Sequence, residues 1–452
     1  MLVFILPGLN PHLSEYTLST VKRFISNARP IVVQIEEQSA AIMNEALSRE
    51  MDPWFMTLYA GDAVQPHAEK EIERWLQTCT DRSPGFSVNP VTIIDQPTAT
   101  SYRPVPSFRF PRGPLLWRTK IVMKEQTPGF TTRDLLPFQK YVLIDKQLQL
   151  STRYEWTEMV SDGILYPHRI APAWMKEAEE WNAVSPILQA AAQGHTPTLR
   201  AATPPKVTIA LCTYNDGEYL PWAVRSVLAQ TCGAWELVIL DDGSSDEETT
   251  AYLQRLPVDP RMKLVRLEEN SGKSRALNQI LNMATAPWLL ELDADDWLPP
   301  HALEILLREA ESVQNAAVIY GDHMEWLERS NKELVYQGVK AAPFPLSSLL
   351  LLNDAPAVAP RMFNVSIIKQ QKGWDHNTLY EGRLYEDIGL LFKLSKTRKL
   401  HHVPEALYHR RLRKASMTHR YPHRYPAWKS SLIDKLNESE LANHSEGQNA
   451  HI

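Results

Sequence analysis

Apolar residues along this chain recur in two rhythms. Leu2–Leu6, Ile31–Ile35 and Trp54–Leu58 are short apolar runs that read as buried strands. Ser14–Ser26 and Ala40–Leu47 carry their apolar residues at helical spacing. Strands alternating with helices argue for a mostly parallel α/β layer. The rhythm breaks over residues 83–114, a proline-rich stretch that reads as a loop or extended connector. It resumes in Trp117–Lys124, Tyr141–Asp145 and Gln147–Tyr154, then breaks again in AAAQGHTPTLRAATPPK, which suits an interdomain linker. From Val207 a fuller α/β pattern begins. Val207–Thr213, Glu236–Leu240, Met262–Leu267, the run from Trp288 and Ala316–Tyr320 read as strands. Glu218–Gln230, Asp246–Leu256, Lys273–Met283 and His301–Ser312 read as helices, and beyond Ser330 the pattern is less regular. The expected organisation is a smaller α/β module over 1–189, a linker over 190–206 and a Rossmann-like α/β module over 207–425. Residues 426–452 are expected to hold a C-terminal helix and a polar, disordered tail without apolar period.

At 452 residues the chain is too long for one ordinary domain. A net charge of −5 gives no reason to expect nucleic acid as a partner. Cys79, Cys212 and Cys232 are scattered, odd in number and without paired metal spacing, which favours a reducing compartment. The opening MLVFILPGLN is too short an apolar run to span a bilayer and lacks the positive flank of a signal peptide. The expected location is the cytoplasm, peripheral to a membrane if associated with one.

The first module looks like a worn copy of the second. Trp54–Ala68 can be laid on Trp288–Ala302 without a gap, pairing Asp62 with Asp296, His67 with His301 and, upstream, Asn44 with Asn278. Asn10 falls on Asn215 at a different offset, so the first copy lacks a segment after its second strand. Tyr59 and Gly61 stand where the second copy has Asp293 and Asp295. The expected consequence is a first module that packs, dimerises or holds an acceptor.

The chemistry gathers at strand ends of the second module. The apolar run Trp288–Leu292 ends in Asp293, Asp295 and Asp296. If the chain stays extended there, Asp293 and Asp295 point the same way and invite a hard divalent cation such as Mg²⁺ or Mn²⁺. A solvated acidic turn before a helix is the plainer alternative. Thr213-Tyr-Asn-Asp216, Asp241–Asp246 and Asn270–Arg275 also follow strands, and such loops share one crevice in an open parallel sheet. Their side chains suit a nucleoside diphosphate. Tyr214 can stack on a base and Asp242 can accept a base N–H. Lys273 and Arg275 can neutralise phosphate, and Asp295 can hold a metal that bridges it.

In combination, T-Y-N after a strand, V-I-L-D-D-G-S, an A-L-N-bearing helix and D-A-D-D resemble the inverting, family 2 nucleotide-sugar glycosyltransferases of GT-A fold, over about residues 205–420. Within that family the wording around Tyr214 and Asp242 is similar to the spore-coat polysaccharide type. The resemblance implies a donor linked to UDP or dTDP, cradled by Thr213, Tyr214 and Asn215. Asp242 would read the base, Asp293 would lie near the sugar or ribose, and Asp295 would bind Mg²⁺ or Mn²⁺. It implies a carbohydrate or lipid-linked glycan acceptor and a catalytic carboxylate in Leu384-Tyr-Glu-Asp. Asp387 is the expected general base and Glu386 the alternative, although acids in a first helical turn are favoured anyway. In the worn copy, Leu136–Tyr141 has no carboxylate pair. The segment His409–Arg420 implies phosphate contacts from Arg410 and Arg413 and a metal ligand in His409 or His419, with hydroxyls at Ser416 and Thr418. A solvated basic face is the alternative. Cys212, where a small hydroxyl residue is often found, leaves base selectivity open.

Two rivals remain from sequence. A nucleotidyltransferase would want a glycine-rich basic loop after the first strand, where this chain has Thr-Tyr-Asn-Asp. A pseudo-transferase that only binds glycan or protein is opposed by the intact carboxylates of the second module. A dinucleotide oxidoreductase is disfavoured because no G-x-G-x-x-G follows either first strand.

Overall fold

The computed structural model describes residues 1–7, 11–49, 52–90, 115–124, 128–132, 138–161 apart from 152 and 155, 164–165, 180–188, 204–413 apart from 331 and 333, and 422–435. Asn10, most of the linker, Ser416, Thr418, His419 and the polar tail lie outside these residues. The chain divides into two compact units, Met1–Gly194 and His195–Ile452.

The first unit is built on strands β1 (Leu2–Leu6), β2 (Arg29–Val32), β3 (Trp54–Tyr59), β4 (Ala63–Val64), β5 (Gly85–Pro90), β6 (Leu115–Arg118), β7 (Thr157–Ser161) and β8 (Ile164–Leu165). Its named helices are α1 (Ser14–Phe24), α2 (Ser39–Arg49), α3 (Ala68–Thr78), α4 (Thr119–Lys124) and α5 (Val142–Ser151). The main sheet runs β2-β1-β3-β6-β5-β7. Strand β5 corrects the reading of residues 83–114 as a plain connector. Phe86 and Val88 alternate into the core, 2% and 0% exposed, a period of two that the flanking prolines hide in the sequence. Residues 91–114 lie outside the described residues.

The second unit has strands β9 (Val207–Thr213), β10 (Trp235–Asp241), β11 (Met262–Arg266), β12 (Trp288–Asp293), β13 (Ala316–Glu328), β14 (Leu334–Lys340), β15 (Arg361–Asn364) and β16 (Lys399–Leu412). Helices α6 (Leu220–Leu228), α7 (Glu247–Leu253), α8 (Lys273–Met283), α9 (Ala302–Ser312), α10 (Ser348–Asp354), α11 (Val365–Gln370) and α12 (Glu386–Ser395) flank them. The sheet order is β11-β10-β9-β12-β15-β13-β14, with β16 joined to β13. Strands β9–β12 are mutually parallel, and β15 turns antiparallel to β12. Both faces are covered. Ile209, Leu211 and Ile239 point into one core, Ala210, Val238 and Leu240 into the other, which is why these strands read as continuous apolar runs.

The irregular pattern beyond Ser330 conceals the long strand β16. Its pairing with β13 slips between Gly321 and Asp322, where the partner skips from Val403 to Ala406 across Pro404. Proline and charge at that bulge erase the alternation a strand would show.

The two units share a wiring plan. In the first, β3 pairs antiparallel with β6, β6 antiparallel with β5, and β5 parallel with β7. In the second, β12, β15, β13 and β16 repeat those four strands with the same directions. The cross-strand partners Thr57 and Leu115 correspond to Glu291 and Arg361. One side-chain clamp also repeats. Asn278 Nδ2 donates to the Trp374 carbonyl at 2.7 Å, and its Oδ1 accepts the Trp374 N–H at 2.9 Å. Asn44 grips Phe130 in the same way, at 2.8 and 2.7 Å. Each aromatic follows a glycine at positive φ, Gly373 and Gly129, whose missing Cβ leaves room for the asparagine.

Candidate active site

Four segments converge at the carboxyl ends of β9, β10 and β12 and at the start of α12. Asn215, at φ 57°, stitches the first two loops together. Its N–H donates to Ser244 Oγ at 2.9 Å, and its Oδ1 accepts the N–H groups of Ser245 and Asp246. Thr213 is buried, while Tyr214 is 45% exposed.

Asp242 is buried and already engaged. Its Oδ1 accepts the Ser271 N–H and hydroxyl at 2.7 Å, and its Oδ2 accepts the Gly272 N–H at 2.8 Å. The carboxylate thus shapes the loop that opens α8. Gly272 sits at φ +90°, and a Cβ there would press on Arg383, so the position requires glycine. Arg275 leans back onto the Ser271 carbonyl at 3.2 Å.

Lys273 joins two segments: its Nζ lies 2.7 Å from Asp293 Oδ1 and 3.3 Å from Glu386 Oε1. Arg361 joins two more. Its Nε meets Glu291 Oε2 at 2.6 Å, while its Nη1 reaches Asp387 Oδ2 at 3.2 Å and the Val358 carbonyl at 2.6 Å. Glu291 and Asp293 are two residues apart on β12, so they share one face of the strand. Acids and cations therefore alternate from β12 across to the start of α12.

The extended reading of Asp293-Ala-Asp295 is corrected by a turn. Strand β12 ends at Asp293, and the Asp296 N–H returns to the Asp293 carbonyl at 3.1 Å. The two carboxylates accordingly meet different cations. Asp295 Oδ2 lies 2.6 Å from Arg413 Nη2, and Arg413 also stands 3.6 Å from Asp216. Asp296 accepts the Arg411 N–H at 2.7 Å, and the Arg411 Nε donates to the Asp295 carbonyl at 3.0 Å. Arg411 and Arg413 both rest on the Tyr219 ring. Arg410 reaches Glu325 at 3.5 Å.

His409 is wholly buried. Its ring stacks on Trp297 at 5.0 Å, and its Nδ1 accepts the Trp326 indole N–H at 3.1 Å. Burial pushes its pKa down to about 3, so the ring is neutral.

Burial and like charge disturb the acids unevenly. Burial lifts Glu386 to about 7 against the pull of Lys273. Burial and the neighbouring Asp295 lift Asp216 to about 6, opposed by Arg413. Burial also raises Asp296 well above the carboxylate range. For Asp293, burial acts upward, but Lys273 and then Arg361 prevail and hold it at about 2.

Carboxylate oxygens are the donors that a hard divalent ion takes. Asp293 and Asp295 offer oxygen ligands, and burial, then the neighbouring Asp295, pushes Asp216 and Asp296 up. Among the described residues no three His, Cys, Asp or Glu form a ready-made metal cluster. A diphosphate that shares the ion would complete such a shell.

Several contributors escaped the sequence reading. Glu291 sits inside an apolar run, a signal that its charge must be matched, but Arg361 is named only by the sheet pairing. Asp216 stands in the quoted Thr-Tyr-Asn-Asp motif, yet only the Arg413 contact gives it a role. Tyr408, whose hydroxyl accepts the Asp293 N–H at 3.1 Å, lies in the irregular strand β16.

Residues 208–344 match the Glycosyl transferase family 2 model. The second unit therefore contains a family 2 glycosyltransferase domain, built as the mixed, parallel-rich sheet expected of the GT-A fold. The succinoglycan biosynthesis protein ExoO of Rhizobium meliloti is 32% identical over 130 residues, which cover 29% of this chain and 36% of that protein. The putative teichuronic acid biosynthesis glycosyltransferase TuaG of Bacillus subtilis is 38% identical over 92 residues, covering 20% and 36%. The chain spans 14% to 39% of the length of the first four curated relatives it matches. A distant structural likeness, to the mannosyltransferase PcManGT of Pyrobaculum calidifontis, has TM-score 0.39 at 16% identity and covers 59% of this chain and 75% of that one. No helix among the described residues is long and apolar enough to cross a membrane.

Proposed function

We propose that the second unit transfers a sugar, with inversion, from a UDP- or dTDP-linked donor to a hydroxyl of a carbohydrate or lipid-linked glycan. What supports this reading is that Lys273 bridges Asp293 to Glu386, Arg361 bridges Glu291 to Asp387, and Asp242 holds the Gly272 turn that opens the helix of Lys273. Tyr214 stacks on the base, and Asp242 shares its engaged carboxylate with a base N–H. Thr213 and Asn215 line the same rim. Asp295 and Asp293 would hold Mg²⁺ or Mn²⁺, which would supply positive charge against the leaving diphosphate. Lys273, Arg275, Arg410 and Arg413 add positive charge around the phosphates, and Arg413 exchanges Asp295 for a phosphate oxygen. Asp387 accepts the proton of the acceptor hydroxyl as its oxygen bonds to the anomeric carbon and the diphosphate leaves from the opposite face. Glu386, lifted to about 7, is the second candidate for that proton. His409 does not serve as a ligand on this reading, because its ring is committed to the indoles of Trp297 and Trp326.

The first unit is proposed to be non-catalytic, with Tyr59 and Gly61 in place of Asp293 and Asp295. The protein is proposed to act in the cytoplasm.

A thermal-shift series with UDP-, dTDP- and GDP-sugars, each with and without Mn²⁺, tests the reading. One base class should stabilise the protein only with the metal, by about 2.7 kcal/mol at a hundredfold excess over Kd. A flat response to every donor would overturn it. Release of pyrophosphate instead of a nucleoside diphosphate would favour a nucleotidyltransferase.

A further inference from the structure

Arg361 is nearly buried, at 7% exposure, and no sequence motif points to it. Its guanidinium is held from two sides, by Glu291 Oε2 at 2.6 Å and the Val358 carbonyl at 2.6 Å, and it presents a remaining N–H to Asp387 Oδ2 at 3.2 Å. The other oxygen of Asp387 accepts the Ile388 N–H at 2.8 Å. Asp387 is thereby fixed at both oxygens: one by the first turn of its own helix, one by an arginine whose own position is set by strand β12.

A buried arginine–glutamate pair is a weak source of stability, since desolvation offsets much of the attraction. Its presence calls for another reason, and the chain contains an internal comparison. In the first unit the cross-strand pair equivalent to Glu291 and Arg361 is Thr57 and Leu115, and, counted from the glycine of each clamp, Glu386-Asp387 falls on Val142-Leu143 at the start of α5 and not on Leu136–Tyr141. The acid in that helix, Asp145, faces Thr131 and Gln149. Where the carboxylate pair is absent, the arginine and glutamate are absent as well, and the strand pairing stands without them.

We infer that Arg361, anchored by Glu291, is a positioning residue for Asp387. It holds the carboxylate that takes the acceptor proton at a fixed point relative to strand β12, which carries Asp293. The inference rests on the proposed transfer reaction and adds to it a residue that acts through Asp387. Misplacing a general base lowers turnover without loosening the donor, because donor contacts lie on other loops.

The test uses the full chain, with UDP plus Mn²⁺ as the binding probe and release of UDP from UDP-N-acetylglucosamine or UDP-glucose as the turnover readout. Arg361→Lys keeps the buried charge but cannot hold three partners in one fork. It should bind UDP–Mn²⁺ within about twofold of the parent, keep KM for the donor, and lose roughly tenfold in kcat. Glu291→Leu/Arg361→Met removes both buried charges together, which proteins tolerate better than removal of one. It should lose roughly a hundredfold in kcat with KM again unchanged. Parental kcat in Arg361→Lys would overturn the inference. So would a rise in KM matching the fall in kcat, which would mark a purely structural residue. A parent protein that neither binds UDP–Mn²⁺ nor releases UDP removes the transfer reading itself and this inference with it, a result distinct from a working parent with indifferent variants.

Discussion

Arg413 Nη2 lies 2.6 Å from Asp295 Oδ2, and the same guanidinium faces Asp216 at 3.6 Å. An arginine thus occupies the carboxylate that the transfer reading assigns to a divalent ion. A divalent ion on Asp295 would meet the like charge of Arg413 at close range, so metal binding and this ion pair work against each other.

Asp295→Ala should abolish the Mn²⁺-dependent part of the thermal shift and lower turnover at least a hundredfold, in keeping with the loss of metal assistance. Titration with EDTA should drive the parent to the same low rate. A variant that keeps its Mn²⁺ response would refute the assignment of Asp295.

Asp387→Asn preserves shape and removes the proton acceptor. Calorimetry should find UDP–Mn²⁺ affinity unchanged, while turnover falls by about 10²–10⁴. Glu386→Gln should have the smaller effect, and the reverse ranking would transfer the role to Glu386.

Tyr214→Ala should weaken UDP by about 1–3 kcal/mol, the range for stacking of one base on an aromatic ring, with kcat nearly retained. Equal affinity in parent and variant would remove Tyr214 from the base site.

Asp216 gives a pH signature. Burial and Asp295 raise its pKa from 3.8 to about 6, and its side chain is 22% exposed. A carboxyl raised on folding contributes stability that is fully present below the unfolded value and lost as pH rises through the folded one. In EDTA, the parent should therefore lose roughly 2–3 kcal/mol between pH 4 and 7 that Asp216→Asn does not lose. Denaturant unfolding at both pH values checks this, and parallel pH profiles would contradict it.

Asn278→Ala leaves the N–H and carbonyl of Trp374 without their partners and should cost about 2–4 kcal/mol in unfolding of the second unit. Asn44→Ala should do the same to the first unit through Phe130. Urea melts followed by tryptophan fluorescence would show either variant to be neutral if the clamp carries no weight.

Much of this arrangement was legible in the sequence, because strands covered on both faces advertise themselves as apolar runs and their ends fall where the runs stop. Val207–Thr213, Trp288–Asp293 and the loops after them are of this kind. What stayed hidden depends on pairing across the sheet. Arg361 looks ordinary until β15 lies against β12 and sets it opposite Glu291. Strand β16 was obscured by a bulge at Pro404, and β5 by flanking prolines. The turn at Ala294–Asp295 broke the alternation expected of an extended chain, because the Asp296 N–H closes back on the Asp293 carbonyl. Local pattern conveys where an element lies, and only register conveys which charges meet.

The paired asparagine clamps have a wider meaning. Each grips a glycine–aromatic step, and among the described residues the first unit has Thr57 and Leu115 where the second has Glu291 and Arg361. The clamp thus belongs to the wiring that both units share, whereas the Glu291–Arg361 pair belongs to the carboxylate cluster of the second.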